Sequence, residues 1–370
     1  MPERPEARAL RARLAARLAA LDAAGLRRTL RVVRPISPIE AEVDGSRAWV
    51  FCSNDYLGLA TELEGAWREG GAGAGASRLI SGNRPAHMAL EAALEERFGA
   101  PATLFPSGFA ANLALLSLLP EASDVVASDA LNHASIIDGL RLSRARRVVY
   151  PHADPGALPL DATMVVTESV FSMDGDTAPL ERFPTGHLTF VVDEAHAVGA
   201  MGPDGRGVCA SRGLSPDVLV GTLGKAYGAA GAFVIGPPEL KPLLVSLGRA
   251  FVYTTGMPEP VARAALAGLR AATDARREAL AQNVARLRSG LAQVGVAALG
   301  DTHIVPVRTG RDTMSVAARL LERGIFAPGV RWPTVAKGEE RVRLTVSAAH
   351  TDEAIDRCVE AVGQVVAGRS

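Results

Sequence analysis

The sequence is poor in lysine, cysteine and aromatic residues, and it carries no net charge. Of its forty basic residues only three, Lys225, Lys241 and Lys337, are lysine; all the others are arginine. Its three cysteines, Cys52, Cys209 and Cys358, stand far apart. They have no metal-ligand spacing and make no disulfide framework, so a reducing, cytoplasmic compartment is expected. Forty acids balance the forty bases, which argues against a surface dedicated to nucleic acid or to an anionic membrane. Aromatics are 5% of the chain, too few for a base-stacking platform. No run nears the roughly 18 consecutive apolar residues of a membrane span. The arginine-rich N-terminus carries Glu3 and Glu6 and no serine, so it reads as a surface helix rather than a transit peptide.

What is present is a large core. The chain has 370 residues, 48% of them hydrophobic, enough for one large and one small domain. Residues 5–24 read as an amphipathic helix, with Leu10, Leu14, Leu18 and Leu21 on one side and Gly25 as its stop. Residues 1–45 form this helix and an arm, 46–290 a large domain, and 291–370 a small α+β domain. In the large domain, residues 47–59 read as a short strand running into a polar turn and 102–119 as a strand tip, a Ser-Gly turn and a helix; strands at 124–129, 146–151, 163–170, 188–196, 218–224 and 230–236 alternate with helices at 87–98 and 132–143. That alternation predicts an α/β fold with a mostly parallel central sheet. Residues 71–83, "GAGAGASRLISGN", read as a loop approaching something closely. A long helix over 271–295 precedes the small domain, whose elements are a strand at 303–307, a helix at 312–323, a strand at 340–348 and a final helix.

The chemistry gathers where strands stop, since ligands in open α/β sheets lie beyond the carboxyl ends of strands. Asp193 and Glu194 close one apolar strand and His196 follows. An acid there caps a turn or pairs with an arginine, faces a cofactor, or joins His196 in a metal site. His133, in "LNHAS", is a helix-start histidine held locally or a site residue. Ser107 and Gly108 lie between a strand and a helix, where backbone amides favour a phosphate. Lys225, in "GTLGKAYG", is an exposed turn lysine or a semi-buried amine. Burial of an unpaired ammonium lowers its pKa, which an amine needs to form a Schiff base and which an arginine cannot do.

These residues together suggest pyridoxal phosphate (PLP). The sequence resembles the α-oxoamine synthases, fold-type I PLP enzymes that join an amino acid to an acyl thioester with decarboxylation. "SNDYLGL", "GAGASRLISG", "FPSGFAAN", "LNHASIIDG", "VFSMDGDTAPL", "VVDEAHAVGAMG", "GTLGKAYG" and "VRLTVSAAH" stand in the family's order across nearly the whole chain. The resemblance implies a large domain with a mostly parallel sheet and a smaller α+β C-terminal domain. It makes Lys225 the Schiff-base lysine and proton carrier, Asp193 the partner of the pyridine nitrogen, His196 that of the phenolic oxygen, and His133 the ring-stacking group. It places Ser107, Gly108, Phe109 and Thr222 at the phosphate, and Glu168 and Ser172 beside the ring and substrate. Arg343 would hold the amino acid's α-carboxylate, with Asn54 and Thr334 near it, and Arg27 the distal carboxylate of the acyl chain. The family is homodimeric with sites at the subunit interface, so Thr254 or Thr255 would reach a neighbour's cofactor. No metal is implied. The best match is to members that use L-alanine and a pimeloyl thioester. The alternatives are glycine-using members (5-aminolevulinate synthase, glycine C-acetyltransferase), a generic aminotransferase, or a non-catalytic scaffold of the same fold. Ser169 and the pair Ala197-Val198 depart from the pattern of many alanine-using members and look like the glycine-using ones.

Overall fold

The computed structural model describes residues 5–63, 65–66, 68, 70–184 and 186–366. A helix, α1 (Pro5–Ala23), opens the chain, and Gly25 ends it in a left-handed conformation. Three short strands follow: β1 (Val33–Ser37), β2 (Glu40–Val43) and β3 (Ser46–Val50). Asp44 and Gly45, both at positive φ, make the two-residue turn between β2 and β3. The dipeptide Asp-Gly is the standard signal for such a turn, because both of its positions must adopt φ above zero. β3 falls at the start of 47–59, which reads in the sequence as a short strand running into a polar turn, whereas β1 and β2 lie in the segment read as an arm.

The large domain runs α2 (Pro85–Phe98), β4 (Ala102–Phe105), α3 (Gly108–Leu118), β5 (Val125–Asp129), α4 (Ala134–Leu142), β6 (Arg146–Tyr150), β7 (Met164–Glu168), β8 (Thr189–Asp193), α5 (Gly207–Ser211), β9 (Val218–Thr222) and β10 (Ala232–Ile235). The seven strands form one sheet in the order β4-β10-β9-β8-β7-β5-β6. Only β10 runs against its neighbours. The carboxyl ends of β4, β5, β7, β8 and β9 therefore share one edge. Alternate residues serve opposite faces, as a period of two requires: Val191 packs on the side of α3 and α4, while Phe190 and Val192 pack on the other.

Four helices follow, α6 (Leu240–Leu247), α7 (Arg249–Val252), α8 (Glu259–Ala271) and α9 (Asp274–Gln293). The helix expected at 271–295 is thus α9, separated from α8 by a break at Ala272-Thr273. The C-terminal part holds β11 (Ile304–Arg308), α10 (Thr313–Glu322), β12 (Ile325–Phe326), β13 (Gly329–Val330), β14 (Arg341–Thr345) and α11 (Asp352–Val366). Its sheet is β11-β14-β13, and β12 pairs in parallel with β3. The N-terminal arm and the C-terminal part thus share a sheet. Among the described residues no helix is long and apolar enough to cross a membrane.

Helices α3 and α4 approach closely because Gly139 has no side chain. A Cβ there would lie 2.8 Å from the Asn112 carbonyl oxygen and 2.9 Å from the Leu116 Cβ. Gly139→Val must push α4 off α3, and overpacking of this kind costs about 1–3 kcal/mol. Chemical denaturation should show that loss with an unchanged m-value.

Candidate active site

Parallel register brings two acids together. Glu168 and Asp193 are paired residues at the ends of β7 and β8, and both are buried. Glu168 is pushed well above the usual carboxyl range by burial, and next by the adjacent charge of Asp193. Lys225 stands three residues beyond β9. No hydrogen bond or ion pair reaches its ammonium among the described residues, and burial lowers its pKa to about 8 although Asp193 and Glu168 pull the other way. The turn-lysine alternative is thereby excluded: the side chain is enclosed and readily deprotonated.

The strand-end acids of "DEAH" part company. The Asp193 oxygens accept from the Ala195 amide (2.9 Å) and the Asn112 side chain (2.7 Å). Glu194 turns the other way and accepts from Ser169 Oγ (2.6 Å) and from the Val208 and Cys209 amides, capping α5. Glu194 thus has the capping role, Asp193 stays at the strand end, and the two acids do not converge with His196 on a metal site.

Asn112 links Asp193 to the face of the site. It also donates to Ser135 Oγ (3.0 Å), which lies 2.7 Å from His133 Nδ1. The Ser135 amide donates to the same nitrogen (3.2 Å), so His133 caps α4. Because Asn112 and the Ser135 amide are both donors, the Ser135 hydroxyl proton goes to Nδ1, and the ring proton sits on Nε2. Burial lowers the pKa of His133, which keeps it neutral. Its backbone amide donates to Glu168 (2.5 Å). His196 is also neutral, held well below its ordinary pKa by burial and then by the charges of Lys225 and Arg343. Its Nδ1 lies 2.7 Å from the hydroxyl of the fully buried Tyr56, whose ring stands 4.0 Å from that of His303.

At the phosphate end, Ser107 caps α3 by accepting from the Ala110 amide (3.1 Å). The amides of Gly108 and Phe109 lie in the first turn, which has no intrahelical acceptor. Thr222 is buried and donates to the Gly231 carbonyl (3.1 Å). The glycines around Lys225 are mostly required by packing rather than by clearance for a ligand. A Cβ at Gly221 would meet the Phe233 ring at 2.2 Å, one at Gly228 the Ala60 amide at 2.6 Å and one at Gly231 the Met257 methyl at 2.1 Å. Only Gly224 has nothing nearer than 3.7 Å.

Two arginines on β14 differ in role. Arg341 is paired with Asp174 (2.5 Å) and Glu339 (3.5 Å). Arg343, also buried, has no carboxylate partner among the described residues; it donates to the Ser172 carbonyl and lies 3.5 Å from Asn54 Oδ1. An unpaired, enclosed guanidinium is suited to a substrate carboxylate. Arg27 is at the surface in an ion pair with Asp22 (2.9 Å), and it is Arg28 that donates to Thr334 (2.9 Å). Thr254 and Thr255 border Phe105 and Pro106 of their own chain, and Thr255 is exposed.

Three residues escaped the sequence reading: Tyr56, Asn112 and His152. His152 follows β6 and bridges Asp129 (Nδ1, 3.0 Å) and Asp176 (Nε2, 2.9 Å), tying the turn that leads to His133 onto the loop that carries Ser172. The two carboxylates overcome its burial and raise its pKa from 6.5 to about 10. A raised pKa means that the folded protein binds a proton that the unfolded chain releases above pH 6.5. The stabilisation is complete below pH 6.5 and is lost as pH rises through about 10. The gap in unfolding free energy between wild type and His152→Gln should be about 1–3 kcal/mol near pH 6, after allowance for the side chain's partial exposure, and should close by pH 10. Urea titrations across that range measure it.

The family pattern described as aminotransferase class I and II matches residues 48–362. The 8-amino-7-oxononanoate synthase of Methylococcus capsulatus is 43% identical over 95% of this chain and 98% of its own length. That of Halorhodospira halophila is 44% identical, over 97% and 96%. Among solved structures, Sphingomonas wittichii serine palmitoyltransferase superposes with a TM-score of 0.87 at 30% identity, covering 96% of both chains. The S. paucimobilis serine palmitoyltransferase, solved with a bound PLP–myriocin aldimine, gives 0.87 at 29%, covering 96% of this chain and 97% of that one. With this site at the strand ends and these likenesses along nearly its full length, the chain belongs to the 8-amino-7-oxononanoate synthase class of α-oxoamine synthases, within the aminotransferase class I and II family.

Proposed function

We propose that the protein condenses L-alanine with a pimeloyl thioester, releasing CO2 and free thiol and forming 8-amino-7-oxononanoate, with PLP as its cofactor. One observation carries the reading: a single enclosed amine, Lys225, with a pKa lowered to about 8, beside a strand-end acid and the first-turn amides of α3. The donor set fits PLP. Lys225 would hold the aldehyde carbon, Asp193 the ring nitrogen, His196 the phenolic oxygen and His133 the ring face. The α3 amides of Gly108 and Phe109, with Ser107 and Thr222, would hold the phosphate. When bound, PLP supplies the electron sink that stabilises negative charge at the substrate's α-carbon.

The chain's own groups do the rest. Arg343 holds the α-carboxylate of alanine, with Asn54, Ser172 and Thr334 around it. Lys225, released when the substrate amine takes its place and neutral for part of the time near pH 8, takes the proton from Cα. The bond from Cα to the thioester carbonyl forms, the carbon–sulfur bond breaks, and the thiol leaves. The carboxylate then departs as CO2, and Lys225 returns a proton to Cα. Glu168, its pKa raised by burial, borders this space beside Asp193.

The departures at Ser169, Ala197 and Val198 do not bear on the choice of amino acid. Ser169 serves Glu194, and Ala197 and Val198 lie in the core behind the sheet end. Several large apolar side chains are exposed: Ile80 and Tyr253 are 80% and 75% exposed, and Phe109, whose ring lies 6.4 Å from that of His133, is exposed too. The four leucines of α1 are also exposed. A homodimer that closes the site with Thr254 or Thr255 of a second copy would bury such side chains.

A substrate matrix tests the reading: alanine, glycine or serine with pimeloyl-, acetyl- or succinyl-CoA, following CO2 and thiol release. Alanine with pimeloyl-CoA should exceed glycine by about tenfold or more in kcat/KM, the scale of one methyl group in a fitted pocket. A clear preference for glycine with succinyl-CoA would overturn it.

A further inference from the structure

The loop 331–340 has a cavity on each side. The inner one, about 190 Å³, is lined by Ser172, Thr334 and Arg341 and adjoins the carboxylate-binding arginine through Ser172. The outer groove, about 900 Å³, lies between the end of α1 and this loop and is lined by Arg311, Trp332 and Lys337, among others. Thr334, on the inner side, is held by Arg28, and Arg331, on the outer side, donates to the Arg27 carbonyl (2.9 Å). The groove therefore opens directly across the loop that borders the reaction space.

The chemistry of the outer groove is unlike that of the inner one. Arg311 and Lys337 pair with no carboxylate among the described residues, and Arg331 adds a third cation. Glu340 is the only acid in its lining, and it already accepts from the Gly338 amide (2.9 Å). The exposed Trp332 ring has the Lys337 ammonium 5.5 Å from its centroid. A volume of this size takes a ligand of drug-like dimensions. A short aliphatic acyl chain would leave most of it empty, and such a chain matches the inner cavity instead.

On the functional reading above, the second substrate is a thioester, and its acyl group is carried on a long pantetheine arm ending in phosphate. We propose that the outer groove binds that phosphorylated end through Arg311 and Lys337, with the arm passing Thr334 so that the thioester reaches the inner cavity. The phosphate is common to coenzyme A and to a carrier protein's prosthetic arm. Trp332 offers a flat face that only the adenine of coenzyme A can use.

The test uses the PLP-loaded protein and three donors: pimeloyl-CoA, pimeloyl-4′-phosphopantetheine and pimeloyl-pantetheine. The double variant Arg311→Ala/Lys337→Ala should raise KM for the two phosphorylated donors about tenfold at unchanged kcat and leave KM for pimeloyl-pantetheine unaltered. Trp332→Ala raises KM for pimeloyl-CoA alone if the nucleotide stacks there; no change assigns the groove to the phosphopantetheine arm shared with carrier proteins. An equal rise for all three donors, or none, overturns the proposal. Calorimetric binding of 4′-phosphopantetheine against pantetheine separates the two readings. If no pimeloyl thioester is turned over, the functional reading fails, and the groove still stands or falls on whether the phosphate adds affinity that the double variant loses.

Discussion

The site depends on one constraint: a lysine enclosed where two acids are forced side by side. Register between β7 and β8 fixes Glu168 against Asp193, and the turn after β9 delivers Lys225 to the same edge. If charge attraction dominated, the amine would hold its proton more tightly than a free lysine does. Burial wins instead, and the pKa falls from 10.5 to about 8. That is on the order of 3 kcal/mol in favour of the neutral amine, with solvent at the cleft mouth reducing the figure. An amine poised near neutrality can attack a carbonyl carbon and carry a proton, two tasks that a fully charged lysine or any arginine fails.

Around this amine the protein holds its other titratable groups in defined protonation states by hydrogen-bond accounting. Asn112 spends its two protons on Asp193 and Ser135, which leaves Ser135 to address His133 and fixes that imidazole's tautomer. Tyr56 meets Nδ1 of His196, while the other ring nitrogen has no protein partner among the described residues. The close seating of α4 on α3, made possible by Gly139, keeps this chain of bonds in register. The histidine clasp between Asp129 and Asp176 fixes the two loops that carry His133 and Ser172.

Much of this was legible in the sequence, for reasons that can be named. Apolar runs ending at acids located β7 and β8, because a strand buried on both faces has no polar residue until it leaves the core. A Ser-Gly junction located the start of α3, and the scarcity of lysine drew attention to position 225. What could not be read was how neighbouring letters divide their work. Asp193 and Glu194 look equivalent, but adjacent residues at a strand end point to opposite faces, so one enters the site and the other caps α5. Arg341 and Arg343 differ only in whether Asp174 and Glu339, remote in sequence, reach them. Asn112 and Tyr56 carried no signal of their own, since a polar residue inside an apolar helix and a tyrosine in a turn become informative only through long-range partners.

The central claim is that Lys225 is the amine that holds the cofactor aldehyde. The chain has only two other lysines. Lys241 is engaged with Glu91 and Glu95, and Lys337 lies over the Trp332 ring. Borohydride reduction of the PLP-loaded protein, followed by peptide mass mapping, distinguishes all three directly. The account predicts one cofactor mass per chain, attached to Lys225 alone; attachment to Lys241 or Lys337, or no covalent label on a protein that has bound PLP, would contradict it.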